Sequence, residues 1–161
     1  MDAPAVQLPR MADDRHSRYS SSGDSSHSWV SHRLGTIGGQ MAEILMWLTM
    51  TVWFEARGEP EHCQVKVAQV VLNRMTDGNI KKVILAPYQF SWVPEKLNNG
   101  VLRPEHRPNK ESAAWLKAEE SARTALYSDG TFLATHFHSV TVNPKWGRPF
   151  YKTCGNHHFY L

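Results

Sequence analysis

The sequence predicts an α+β domain, and three observations predict it. Residues 42–56 are apolar nearly all round. Residues 109–130 repeat apolar side chains at helical spacing. After Gly130 the texture changes to β-branched and aromatic residues. Helices first and strands last place the chain in the α+β class.

Each element follows from its residues. Ile44, Leu45, Met46, Trp47, Leu48, Met50, Val52, Trp53 and Phe54 make a helix for the middle of a core. Gly58 and Pro60 end it, and Pro60 suits the first turn of a second helix over roughly 60–75. That helix carries a stripe at Val65, Ala68, Val71 or Leu72, and Met75. "TDGN" breaks it, and "IKKVIL" reads as a short helical piece. Residues 86–108 hold four prolines and read as loop. Asn109 is the expected cap of a third helix with apolar positions at Ala113, Leu116, Ala122, Ala125 and Leu126. "TFLATHFHSVTV" and "RPFYKTCGNHHFYL" read as strands or extended loops.

With 161 residues, 41% hydrophobic and 20% charged, the chain suits one domain plus an appendage. Residues 1–40 are rich in Ser, His and Gly without apolar periodicity, and are expected to form a flexible tail, with "GTIGGQ" as hinge and the domain over 41–161. The tail's four Arg and four Asp cancel, so the net +3 belongs to the domain. That excess suits an anionic polymer. No RNP-type motif, zinc-finger spacing or basic run favours nucleic acid. "ILMWLTMTVWF" is too short to span a bilayer, so no stable membrane insertion is expected. The N-terminus lacks a signal-peptide pattern. Cys63 and Cys154 can pair once; whether they do stays open.

The greasiest segment ends in a carboxylate, Glu55. On the last turn of a buried helix, desolvation and the helix dipole both raise its pKa, and a carboxyl still protonated near neutral pH can give its proton to a leaving group. Read alone, the segment favours the blander account, a surfacing charge paired with Arg57 or Lys66. Glu59 lies four residues on, but the helix breaks between them. His136 and His138 share a face if extended, and His157 and His158 follow. Four histidines and Cys154 invite a zinc site, yet no HExxH or CxxC spacing supports one. The aromatics Trp92, Trp115, Phe137, Trp146, Phe150, Tyr151, Phe159 and Tyr160 read singly as core. Together with Asn and Gln they can line a sugar groove.

"FEARGEP", "QVKVAQVVLNRM", "QFSW", "ATHFH", "NPKW" and "GNHHFY" stand in this order along residues 54–160. In order and spacing the six blocks resemble SleB/CwlJ-type cell wall hydrolases. The resemblance implies a lysozyme-like, lytic transglycosylase-like domain with a helical lobe and a small C-terminal antiparallel β region. It implies cleavage of the MurNAc–GlcNAc bond of peptidoglycan glycan strands, with no cofactor and no metal. It makes Glu55 the catalytic residue, reversing the order above. It places Glu59, Gln89, Phe90, Ser91, His136, His138, Asn143, Trp146 and His157 at the substrate groove. A domain without an export signal or binding repeats looks like a phage product, acting at lysis or entry, with virion proteins as partners for the tail. Two rival classes stay open: a zinc amidase or endopeptidase working through His136, His138 and His157, and a non-catalytic wall-binding virion part.

Overall fold

Apolar side chains on every face force the segment before Glu55 into the centre of the molecule, and the other helices assemble round it. The structure, a computed structural model, describes residues 27–161, with side chains from Gly38 onward. Helix α1 spans His27–Ala56, α2 Glu61–Arg74, α3 Ile80–Ile84, α4 Trp92–Lys96 and α5 Ala113–Leu126. The longer helices α1, α2 and α5 pack on one another. Their shared core includes Leu48, Val52, Ala68, Val71, Trp115, Ala118 and Ala122. Two threonines on α1 are buried there. Their hydroxyls donate back to the carbonyls of Leu45 (2.8 Å) and Trp47 (3.0 Å), so neither is left unpaired.

The second layer is a three-stranded antiparallel sheet in the order β3 (His136–Ser139), β5 (His157–Tyr160), β4 (Phe150–Cys154). His136 pairs with Tyr160 and Ser139 with His157, while a bulge between Phe150 and Lys152 shifts the β4 register. Alternation along β5 buries His157 and Phe159 and leaves His158 and Tyr160 half-buried. Phe159 packs with Val67, Val70 and Phe132 in a second core between α2 and the sheet. A disulfide joins Cys63 on α2 to Cys154 on β4 and resolves the open question of pairing. Asn73 adds bonds from its amide to the carbonyls of Phe132 (2.6 Å) and Ala134 (2.9 Å). Among the described residues no helix is long and apolar enough to cross a membrane.

Four expectations need correction. The "GTIGGQ" hinge is instead part of α1, which begins at His27. Each glycine costs a helix about 1 kcal/mol, but a packed segment has already met the cost of nucleation and the helix propagates from it. The rest of the expected tail, residues 1–26, lies outside the described residues. The 86–108 loop contains α4, a 3₁₀ turn at Pro104–His106, and a hairpin of β1 (Leu97–Asn98) and β2 (Val101–Leu102). Asn99 and Gly100 both have positive φ, as a tight hairpin turn requires. The cap of α5 is Ser112, whose hydroxyl accepts from the Trp115 N–H, while Asn109 organises the turn before it. Leu116 faces outward and is exposed.

Candidate active site

The end of α1, the end of α2, the 88–91 segment and the sheet meet round one cleft of about 640 Å³. Glu55 lines it from the last turn of α1. Burial pushes its carboxyl up from 4.5 to about 7. Among the described residues no cation forms an ion pair with it. Arg57, one proposed partner, lies with its guanidinium 4.8 Å over the Trp53 ring. Lys66, the other, donates to the His62 carbonyl at 3.2 Å. The account of Glu55 as a paired surface charge is therefore corrected.

Glu59 also lines the cleft, but its carboxylate is engaged. Oε2 accepts the Asn156 backbone N–H at 3.1 Å and Oε1 accepts the Asn156 side-chain amide at 2.9 Å. Its carbonyl accepts from Gln64 (3.1 Å) and from Lys117 (2.9 Å). Gln64 in turn accepts from Ser121 on α5 at 3.0 Å. Gly155 passes so close that a Cβ there would stand 1.9 Å from Glu59 Oε2. Glu59 thus latches the β4–β5 turn to the α1–α2 corner.

The cleft also brings together Gln89, Phe90, Ser91, His136, His138, Trp146 and His157, all singled out in the sequence. Their roles differ. Phe90 is buried against Trp92 and Phe137, so it shapes the floor. Gln89 accepts from Arg74. His138 spends both ring nitrogens in the sheet, Nδ1 donating to the Ser139 carbonyl (2.7 Å) and Nε2 accepting from the Tyr160 hydroxyl (2.9 Å). That tautomer follows from the carbonyl, which can only accept. His138 stacks on Tyr160 and meets the edge of Trp146, which is 46% exposed. His157 is buried 3.9 Å from Glu59. Burial lowers its pKa, more than the Glu59 carboxylate raises it, and His138 lowers it further. Asn143 does not line the cleft; it is exposed beyond β3.

A metal held by His136, His138 and His157 is not supported by these donors, since His138 has no free ring nitrogen. The trio of ligand atoms that does converge among the described residues, His62, Cys63 and Cys154, includes both disulfide sulfurs. Sequence reasoning missed Arg74, Tyr88, Arg148 and Asn156, all of which line the cleft. Arg74 and Asn156 stand inside the quoted blocks. Tyr88 immediately precedes one, fully exposed with φ +61°.

Comparison with known proteins agrees with this architecture. The catalytic domain of the SleB protein of Bacillus cereus superposes with a TM-score of 0.54 at 25% identity, covering 74% of this chain and 91% of that one. The catalytic domain of the germination-specific lytic transglycosylase SleB of Bacillus anthracis gives 0.56 at 27%, covering 73% and 93%. The spore cortex-lytic enzyme of Bacillus subtilis is 28% identical over 128 residues, 76% of this chain, which spans 39% of that protein's length. The family model described as Cell Wall Hydrolase matches residues 58–160, beginning three residues after Glu55. With most of the domain matched and a lysozyme-like α+β fold shared with the SleB catalytic domains, the chain belongs to the cell wall hydrolase family.

Proposed function

We propose that the protein cuts the MurNAc–GlcNAc glycosidic bond of peptidoglycan as a lytic transglycosylase, with Glu55 as its one acid/base. The observation that carries this reading is a cleft carboxyl with a pKa of about 7 and no ion-pair partner among the described residues. Such a group holds a proton at neutral pH and can both give and retake it. Its kinship with SleB supplies the substrate class.

In the proposed reaction Glu55 protonates the glycosidic oxygen as the bond from MurNAc C1 breaks, releasing GlcNAc with a free hydroxyl. The sugar's own N-acetyl group supports the positive charge at C1. The C6 hydroxyl then attacks C1, its proton passes to the Glu55 carboxylate, and a 1,6-anhydro ring closes. The acid is restored and no water is consumed, so no second carboxylate is required. Glu59 is the alternative base for a hydrolytic outcome. Its oxygens are already bonded to Asn156, which favours the transglycosylase route. Tyr88 and Trp146, exposed along the cleft, offer rings on which sugars can stack. We further infer a phage setting in which residues 1–40 dock to virion proteins.

Mass spectrometry of muropeptides after digestion of sacculi tests the reading. Products ending in 1,6-anhydroMurNAc are expected. Reducing MurNAc ends would replace transglycosylation by hydrolysis, and products cut only in the peptide stem would overturn the assignment.

A further inference from the structure

Arg74, on the last turn of α2, and Arg148, just before β4, line the same cleft. Arg74 is half-buried; it donates to Gln89 Oε1 and lies 5.9 Å over the Phe90 ring. Burial holds its guanidinium below the usual arginine range, and Arg148 pushes it lower. Burial lowers the pKa of His136, and the charges of Arg148 and Arg74 lower it further. Among the described residues no carboxylate forms an ion pair with either arginine. The two acids of the cleft do not serve, since Glu59 is committed to Asn156 and Glu55 sits near neutrality. Two like charges lining one cleft repel, and an anion between them relieves that repulsion. The planar guanidinium fork matches a carboxylate in two parallel hydrogen bonds.

We propose that Arg74 and Arg148 form a subsite for a carboxylate carried on alternate sugars of the strand. This inference rests on the peptidoglycan reading above. In that polymer only MurNAc bears the lactyl arm and the peptide stem attached to it, so carboxylates recur at every second sugar. A fixed carboxylate grip therefore sets register as well as affinity. It presents the bond on one side of MurNAc to Glu55 and leaves the other kind of linkage out of reach. A strand of GlcNAc alone has nothing for the subsite to hold.

Calorimetric binding to the full-length Glu55→Gln protein tests this, because the strand stays uncut. Three glycan fragments are compared: stem-bearing, amidase-stripped with the lactyl carboxylate free, and stem-bearing with every carboxylate converted to a neutral methylamide. Arg148→Gln, on an exposed segment, is expected to weaken carboxylate-bearing fragments about 10-fold, the scale of a charge-assisted pair, and to leave the neutral fragment unchanged. The loss should shrink as salt is added. Arg74→Lys, which keeps the charge and removes the fork, should show the same selectivity. A stem ties up the lactyl carboxyl as an amide, so a loss confined to stripped fragments locates the carboxylate on the lactyl arm, a loss confined to stem-bearing ones locates it on the stem, and a loss on both shows that the subsite accepts either. Equal affinity with and without Arg148, an equal loss on the neutral fragment, or no binding by any fragment overturns the proposal. Failure of the bond assignment is read separately, from the product masses of wild-type digests.

Discussion

The helical lobe and the three-stranded sheet are stabilised in different ways. The lobe is held by area: α1, α2 and α5 bury a continuous set of side chains from Ile44 to Ala125. The sheet is thin, and its outer side is a cluster in which exposed Trp146 and Phe150 and half-buried His138 and Tyr160 mostly touch one another. It is fixed to the lobe by Phe159 and by discrete ties: the disulfide, the Glu59–Asn156 latch and the Asn73 bonds. Glu55, the proposed acid, comes from the lobe that packing makes rigid, and much of the groove wall from the lobe that a few bonds hold. A change at one tie should therefore alter the cleft while the helical core survives.

The latch offers the largest effect. Gly155 has φ +56°, and a Cβ would strike Glu59. Gly155→Ala is expected to cost about 4 kcal/mol, combining left-handed strain with loss of charge-assisted bonds. Thermal unfolding should show it, with helical circular dichroism retained below the transition. A variant as stable as wild type would show that the latch is slack.

Reducing the disulfide comes next. It closes a loop of sequence separation 91, and its loss should cost about 3 kcal/mol. Melting with and without reductant measures this, and an unchanged midpoint would contradict a sheet held by ties.

Glu55 sharpens the comparison from the other side. Its native pKa of about 7 exceeds the ordinary 4.5. Native protein therefore keeps a proton between those values that the unfolded chain has released. The stabilising contribution is full below pH 4.5 and is lost as pH rises to about 7. Glu55→Gln has no such slope, so it should gain on wild type across that window by on the order of 2–3 kcal/mol, allowing for partial exposure. Chemical denaturation at pH 4.5 and pH 8 checks the sign; parallel curves would mean an unperturbed carboxyl.

The smallest effect is expected at His138. His138→Phe keeps the ring beside Trp146 and Tyr160 but removes both hydrogen bonds. KM on solubilised strands should rise about 5-fold, the equivalent of about one net hydrogen bond, with kcat little changed. A collapse in kcat instead would give the imidazole a chemical role.

What was legible in the sequence was local. The apolar run before Glu55, the helical spacings and the change after Gly130 each reveal an element within a short window. The turn at Asn99–Gly100 carried its own signal in "NNG", hidden among the surrounding prolines. What was not legible depends on distance along the chain. Glu59 meets Asn156 across 97 residues, and Arg74 and Arg148 line one cleft from distant parts of the chain. No spacing rule encodes such encounters. The blocks hold most of the residues that line the cleft, but not Tyr88 or Arg148, and they do not distinguish a ring that packs, such as Phe90, from one that faces solvent, such as Trp146.

Turnover of purified sacculi by folded Glu55→Gln tests the central claim most directly. The substitution preserves shape and removes only the titratable proton. The account predicts a loss of at least about 10²-fold against wild type, alongside wild-type activity that falls as pH rises past about 7, where Glu55 loses its proton. A folded Glu55→Gln protein that cut sacculi as fast as wild type would contradict the account.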